Sequence, residues 1–371
     1  MNSTMWKRLM PNRPTIIPNL VLAQHVIDKI ALAASRYVED ETGEALIGLV
    51  KPGEGSGVPT VYVLETIAPD ESAIREAHTF QQGDEAQDEM LWWYYRNWDA
   101  RREKQRAANK ADPWDFPLQH LGDWHRQPGH MIAPSGGDLM TALDMLEDDA
   151  SRFDFLLAPI VTLYHPPTIS TGTHVNYLTA PQDDGSYLRI DFWYIDRTAR
   201  PFAPITPTVY PDDKLPSLVA YPWHLKNDDR FRTELAQLNG DGLFTSVLTW
   251  DTDGKLPLEI CFIMGRQGGR KMLIIATPHD YPHAAPTAYL APFLTLGKNE
   301  VMYDLMSRVW DQARHVDDLP GWKWSSDTYL IDYIRALETH LGMAPAQPVH
   351  APVPNPETEP STEGDDDVGS S

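Results

Sequence analysis

Cysteine is nearly missing from this chain: its 371 residues include one, Cys261. No internal disulfide can form, and a zinc site built from several thiolates is excluded. A reducing, cytoplasmic setting is expected. Positive charge is also scarce, with 31 Lys and Arg against 53 Asp and Glu and a net charge of -22. Nucleic acid is therefore not an expected partner, because phosphate contacts need clustered Lys and Arg. A basic or neutral protein suits such a surface better. Long apolar runs are absent too. No uncharged stretch approaches membrane-spanning length, so no membrane partner is expected. The opening residues Met1 to Arg8 lead into no apolar core of a secretory signal.

The chain is not poor in core-forming residues. Apolar types make up 42% and aromatics 10%, enough for ordinary globular cores. The length suggests two domains. Leu22, Val26, Ile30, Ala33 and Tyr37 recur at helical spacing and predict a first amphipathic helix. Glu41-Thr42-Gly43 then turns into a buried strand through Val50, and Val61 to Leu64 reads as the next strand. Residues 84–110 carry Trp92, Trp93, Tyr94, Tyr95 and Trp98, which predict a helix with an aromatic side packed on the domain body. Leu156 to Leu163 and Leu188 to Tyr194 read as strands. Proline then becomes frequent, at 201, 204, 207, 211 and 216, and a domain boundary is expected there.

The second half has a different order. Phe231, Leu235 and Leu238 predict a short helix. Phe244 to Trp250, Leu256 to Met264 and Lys271 to Ala276 predict a three-stranded meander with turns at Asp253-Gly254 and Gly268-Gly269. A rigid Tyr281-Pro282 loop comes next. Ser326 or Asp327 is the expected cap of a helix carrying Leu330, Tyr333, Ile334 and Leu337. Residues 344–371 are rich in Pro, Ser and acid and are expected to be disordered.

The most informative segment is Gly122-Asp123-Trp124-His125-Arg126-Gln127-Pro128, with Pro134-Ser135-Gly136-Gly137-Asp138 close behind it. On a strand, residues i and i+2 point the same way. His125 and position 127 therefore share a side, and Asp138 would reach them from the next helix. Two side chains on a strand, a carboxylate and an open position for water make the general form of a catalytic zinc site. A more distant acid must then move the proton, and Glu41 is the expected one. Ser135-x-x-Asp138 also reads as an ordinary capping box, which needs no metal. His165, His174, His279, His283 and His315 are scattered and are assigned to no metal.

In order and spacing this pattern resembles the JAMM (JAB/MPN) metalloprotease family, particularly its bacterial branch. That family places a Glu at the first helix-strand junction, then His-x-His-Pro, then Ser-x-x-Asp with the Asp eleven positions after the second His. Glu41, His125-Arg126-Gln127-Pro128 and Ser135-Gly136-Gly137-Asp138 keep that order, and Asp138 stands eleven after Gln127. The resemblance covers residues 15–210. It implies zinc held by His125 and Asp138, Glu41 as general acid/base and Ser135 beside the oxyanion. The departure is Gln127, whose neutral amide oxygen is a poor zinc ligand. Three readings of that position stay open: a metal held weakly through Gln127, His130 as a substitute ligand, or a metal-free domain kept as a binder.

Residues 228–343 resemble, by order and pattern, the ubiquitin-conjugating-enzyme fold. No cysteine comes after the proline loop at Tyr281, so this half is similar to the catalytically dead variants that bind partner proteins. Cys261 falls in a predicted core strand, where a thiol is inert. The expected fold class is thus α+β or α/β in two domains: a JAB/MPN-like mixed sheet flanked by helices, a proline-rich linker over 211–227, a conjugating-enzyme-like domain with an antiparallel meander, and the acidic tail. The function this implies is zinc-dependent peptidase or isopeptidase action on a ubiquitin-like β-grasp modifier or its conjugates. The alternative is a metal-free pseudoenzyme that binds the modifier or its conjugation enzymes as a scaffold. A purely structural component of an assembly is a third reading.

Overall fold

Alternating and continuous apolar runs set the first sheet in place. The computed structural model describes residues 16–343, apart from 56, 71, 78, 83–84, 149–152, 169–174, 199 and 318. The acidic segment 344–371, the first fifteen residues and His174 lie outside the described residues. The chain divides into two compact units. One runs to Lys226 and includes Thr249–Glu259; the other holds Asn227–Leu248 and the chain from Ile260 onward.

The first unit contains β1 (Asn19–Ala23), α1 (Gln24–Arg36), β2 (Gly43–Lys51), β3 (Thr60–Ile67), a small hairpin of β4 (Ile74–Glu76) and β5 (Thr79–Gln81), α2 (Glu85–Ala107), β6 (Leu118–Arg126) and α3 (Gly136–Glu147). It continues with β7 (Phe155–Leu157), β8 (Ile160–His165), β9 (Tyr177–Pro181), β10 (Tyr187–Asp191), β11 (Trp193–Asp196), β12 (Ala203–Pro204), β13 (Pro207–Tyr210) and the single turn α4 (Trp223–Lys226). An 11-stranded mixed sheet runs β12-β11-β7-β6-β2-β3-β1-β13, with β8, β10 and β9 continuing from β6. β2 is antiparallel to both β3 and β6, whereas β1 is parallel to β3 and to β13. Val26, Ile30 and Ala34 of α1 are buried; burying each larger apolar side chain contributes roughly 1.5–3 kcal/mol.

Several expectations need correcting. Leu22 belongs to β1 rather than to the first helix, and Ala34, not Ala33, completes the buried stripe. Leu156 to Leu163 is two strands, since Ala158-Pro159 interrupts it; Ala158 N–H bonds to Trp193 and proline has no N–H to give. Leu188 to Tyr194 is also two strands, parted at Phe192, whose N–H donates to Asn176 and whose carbonyl accepts from Ile205. The proline-rich stretch is not free chain. Pro207 opens β13, at one end of the sheet path, a place where a missing N–H is tolerated. Segment 211–227, expected as a linker, packs on the first unit through residue 226: Asp212 accepts from the His25 N–H, and Ala220 accepts from Trp93 Nε1 at 3.1 Å. Trp93, Tyr94 and Trp98 are buried, so one aromatic side of α2 packs into the unit as expected, whereas Trp92 is exposed.

The second unit carries α5 (Asp228–Gly240), β14 (Leu243–Trp250), β15 (Glu259–Arg266), β16 (Lys271–Thr277), β17 (Thr287–Pro292), α6 (Met302–Trp310), β18 (Arg314–His315) and α7 (Leu330–His340). The strands form a five-stranded sheet in sequence order, with antiparallel pairing from β15 through β18. Neither Ser326 nor Asp327 caps α7. Tyr329 stands at the cap without a side-chain bond, and the buried Glu234 carboxylate takes the Leu330 N–H at 2.8 Å. Cys261 is fully buried in β15, as expected. The chain is therefore of mixed α+β class. Among the described residues, no helix is long and apolar enough to cross a membrane.

Candidate functional site

Register places the site. β2 and β6 pair so that Gly43 lies opposite His125 and Ala45 opposite Asp123. A Cβ on Gly43 would meet the Trp124 carbonyl oxygen at 2.2 Å and the Phe80 ring at 2.7 Å. Glycine thus lets the hairpin residue Phe80 lie close to the strand end. β6 runs parallel to β8 here, and the Gln127 N–H continues the ladder to Val161 at 3.0 Å. His125 and Gln127 consequently share one side of extended chain.

Asp138 arrives from the first turn of α3. Ser135 is the helix cap: its hydroxyl accepts from the Asp138 N–H at 3.2 Å, and the Asp138 carboxylate accepts from the Ser135 N–H at 2.5 Å. The capping box is real, and it aims the carboxylate at β6. The Gln127 amide NH2 donates to Asp138 Oδ2 at 3.0 Å and faces His125 Nε2 at 3.2 Å. His125 Nε2 stands 3.5 Å from Asp138 Oδ1. For the amide to donate to Nε2, the imidazole must be neutral with its proton on Nδ1. Burial pushes the His125 pKa below its ordinary value, against the pull of Asp138 and Asp123.

Glu41, His125 and Asp138 line one open cleft in the first unit, about 670 Å³ in volume. Trp124, Leu156, Met145 and Phe202 help form its walls. Gln127, Ser135 and His130 are not among the lining residues. His130 is exposed, with its ring 5.4 Å from that of His165, and it joins neither His125 nor Asp138. The expected substitute ligand is thus drawn to a histidine pair, because a turn through Gly129, with φ of 62°, takes the chain off the strand.

A resident zinc ion fits these donors poorly. One imidazole and one carboxylate converge, but the third group offers them hydrogens instead of a lone pair. The amide NH2 satisfies both acceptors that an ion would otherwise bind, while the buried Gln127 Oε1 has no hydrogen-bond partner. Among the described residues no cluster of three or more His, Cys, Asp or Glu is arranged for a metal.

A second pair in the same cleft escapes the motif. His120 Nε2 lies 2.8 Å from Asp123 Oδ1, and both line the cleft with Asp88. Burial disfavours the charged ring, but the Asp123 carboxylate and its hydrogen bond outweigh that, so the His120 pKa is raised. A register shift in the β2–β6 ladder brings them together, at Gly122 with φ of 122°. Glycine inside a strand pattern is the one sequence signal of this shift.

No known family description matches this chain, and no curated protein does. A protein of solved structure, DSY2949 from Desulfitobacterium hafniense, is 13% identical, covers 52% of this chain over 93% of its own length, and superposes with a TM-score of 0.27. A likeness of that size carries no argument about fold or function.

Proposed function

We propose that the first unit is a metal-free binding protein on the JAMM plan. It would hold the tail of a ubiquitin-like β-grasp modifier, or of its conjugate, in the cleft without cutting it. The second unit, on the plan of a conjugating enzyme without its cysteine, would recruit the modifier or its conjugation partners. One observation carries the metal-free part: the Gln127 amide nitrogen stands between His125 Nε2 and Asp138 Oδ2, where the family's ion would sit. The modifier is proposed on the sequence resemblance alone.

Metal analysis of the purified protein from zinc-supplemented cells tests this reading. The expected result is far less than one zinc per chain together with measurable binding of a β-grasp modifier. Near-stoichiometric zinc that disappears in His125→Ala would overturn it. A metal-free chain that binds no modifier would remove the modifier part alone.

The placement of Glu41, His125 and Asp138 around one cleft favours a second reading, zinc-dependent isopeptidase action. Gln127→His separates the two. Cleavage of a modifier fusion by Gln127→His but not by the parent chain supports the lost-site reading. Zinc-dependent cleavage by the parent chain supports the isopeptidase.

A further inference from the structure

In a chain this acidic, a group of unpaired cations stands out. Arg270 and Lys271, at the turn into β16, are exposed, as is Arg314 of β18. None has an ion-pair partner among the described residues. Neighbouring cations are already committed: Arg266 pairs with Asp241 and Glu338, and Arg308 with Glu300. Arg270 and Lys271 border one surface depression, and Lys271 and Arg314 border the next, so the three cations flank a shared shelf. Asp311 is the acid on the rim of the second depression. The first depression is also lined by Met343, the last described residue. Beyond Met343 the chain runs through residues 344–371, with Glu357, Glu359, Glu363, Asp365, Asp366 and Asp367 and no Lys or Arg.

We propose that this acidic segment of the same chain docks on the shelf formed by Arg270, Lys271 and Arg314. Three physical points support that occupant. Met343, after which the segment begins, lines the same depression as Arg270 and Lys271. The first acid, Glu357, follows about fourteen residues later, a length that spans at most roughly 50 Å when extended. A short tether holds the local concentration of acid in the millimolar range, so contacts that are weak singly become occupied together. The sign of charge is complementary, and the segment has no cations of its own to compete. This inference does not rest on the proposed function of the first unit. An external acidic protein segment would have to displace the tail to reach the same surface.

Zero-length carbodiimide cross-linking of the full chain, read by mass spectrometry, tests the proposal, because Lys271 supplies an amine to a tail carboxylate. Lys271 is expected to link to Glu357, Glu359 or Glu363 within one molecule. The yield should fall roughly fivefold or more between about 0.05 M and 0.5 M salt, as screening shortens the reach of exposed charges. Arg270→Glu with Arg314→Glu should abolish the link while circular dichroism stays unchanged. Links formed only between isotopically distinct copies would overturn the intramolecular docking in favour of a second copy. Equal linking to the exposed Lys298 and Lys323 would overturn it as unspecific charge attraction.

Discussion

At the scale of single residues, hydrogen-bond direction decides what the cleft can hold. An amide NH2 offers two donors, and at position 127 each finds an acceptor on a different side chain. Gln127→Met keeps the length of the side chain and removes both donors. The Asp138 carboxylate then loses one partner, and His125 Nε2 is left with no donor from position 127. A net loss of about 1 kcal/mol is expected in urea unfolding, because the cost of the acceptors left unpaired is offset in part by removal of the partnerless Gln127 Oε1. The neutral imidazole also loses its support, so the His125 pKa should rise in this variant, measured by proton NMR. In the parent chain two histidines of one cleft should titrate on opposite sides of the ordinary value. His125 is depressed by burial, so the fold binds fewer protons there than the unfolded chain. Its share of stability is lost as pH falls through the unfolded value near 6.5 toward the folded one. His120 is raised beside Asp123, so its share is complete below the unfolded value and is lost as pH climbs through the folded one. Titration of both rings on the same side of about 6.5 would contradict these opposite environments.

At the scale of elements, legibility in the sequence depends on how local the cause is. α1, α5, β2 and β16 come out of the apolar pattern, because each helix buries a stripe at helical spacing and each strand, buried on both faces, is an almost continuous apolar run. The Ser135 cap is visible because its partner lies three residues away; Ser135→Ala is expected to lower stability by about 1 kcal/mol, measured by urea unfolding. Where the cause is distant, spacing misleads. α7 is held by Glu234 from α5, not by Ser326 or Asp327. Segment 211–227 looks like linker because its anchors, His25 and Trp93, lie more than a hundred residues earlier. The His120–Asp123 pair depends on a register shift against β2, whose one trace in the sequence is a glycine inside the strand. Gly122 is the residue that permits it: φ is 122°, and a Cβ there would meet the Leu157 carbonyl oxygen at 2.1 Å. Both strain and overlap oppose any side chain. Gly122→Ala should cost at least about 2 kcal/mol and separate His120 from Asp123. The second effect would show itself as a His120 pKa returning toward its ordinary value.

At the scale of the whole chain, each unit has its own buried core. In the second unit a buried acid also acts as an anchor: Glu234, with no exposed surface. Its carboxylate accepts from Arg230 Nε at 2.8 Å, from the Tyr281 hydroxyl and from the Leu330 N–H. Arg230 in turn donates to the backbone carbonyls of Ser326 and Thr328. One acid therefore ties α5, the Tyr281 loop and the start of α7. Removing it leaves a guanidinium without its carboxylate and a hydroxyl and an amide without their acceptor, a loss of roughly 3–5 kcal/mol for a broken buried ion pair. Glu234→Ala should unfold the second unit at markedly lower urea than the parent chain does. Glu234→Gln keeps one acceptor oxygen and should cost less. Hydrogen exchange supplies the spatial readout. Protection should fall in β15, β16 and α7, whose cores contain Phe262, Ile274 and Ile334. It should persist in β2 and β6, which belong to the other unit. An equal loss of protection in β2 and β6 would mean that the two cores unfold as one, and Glu234 would then anchor the whole chain.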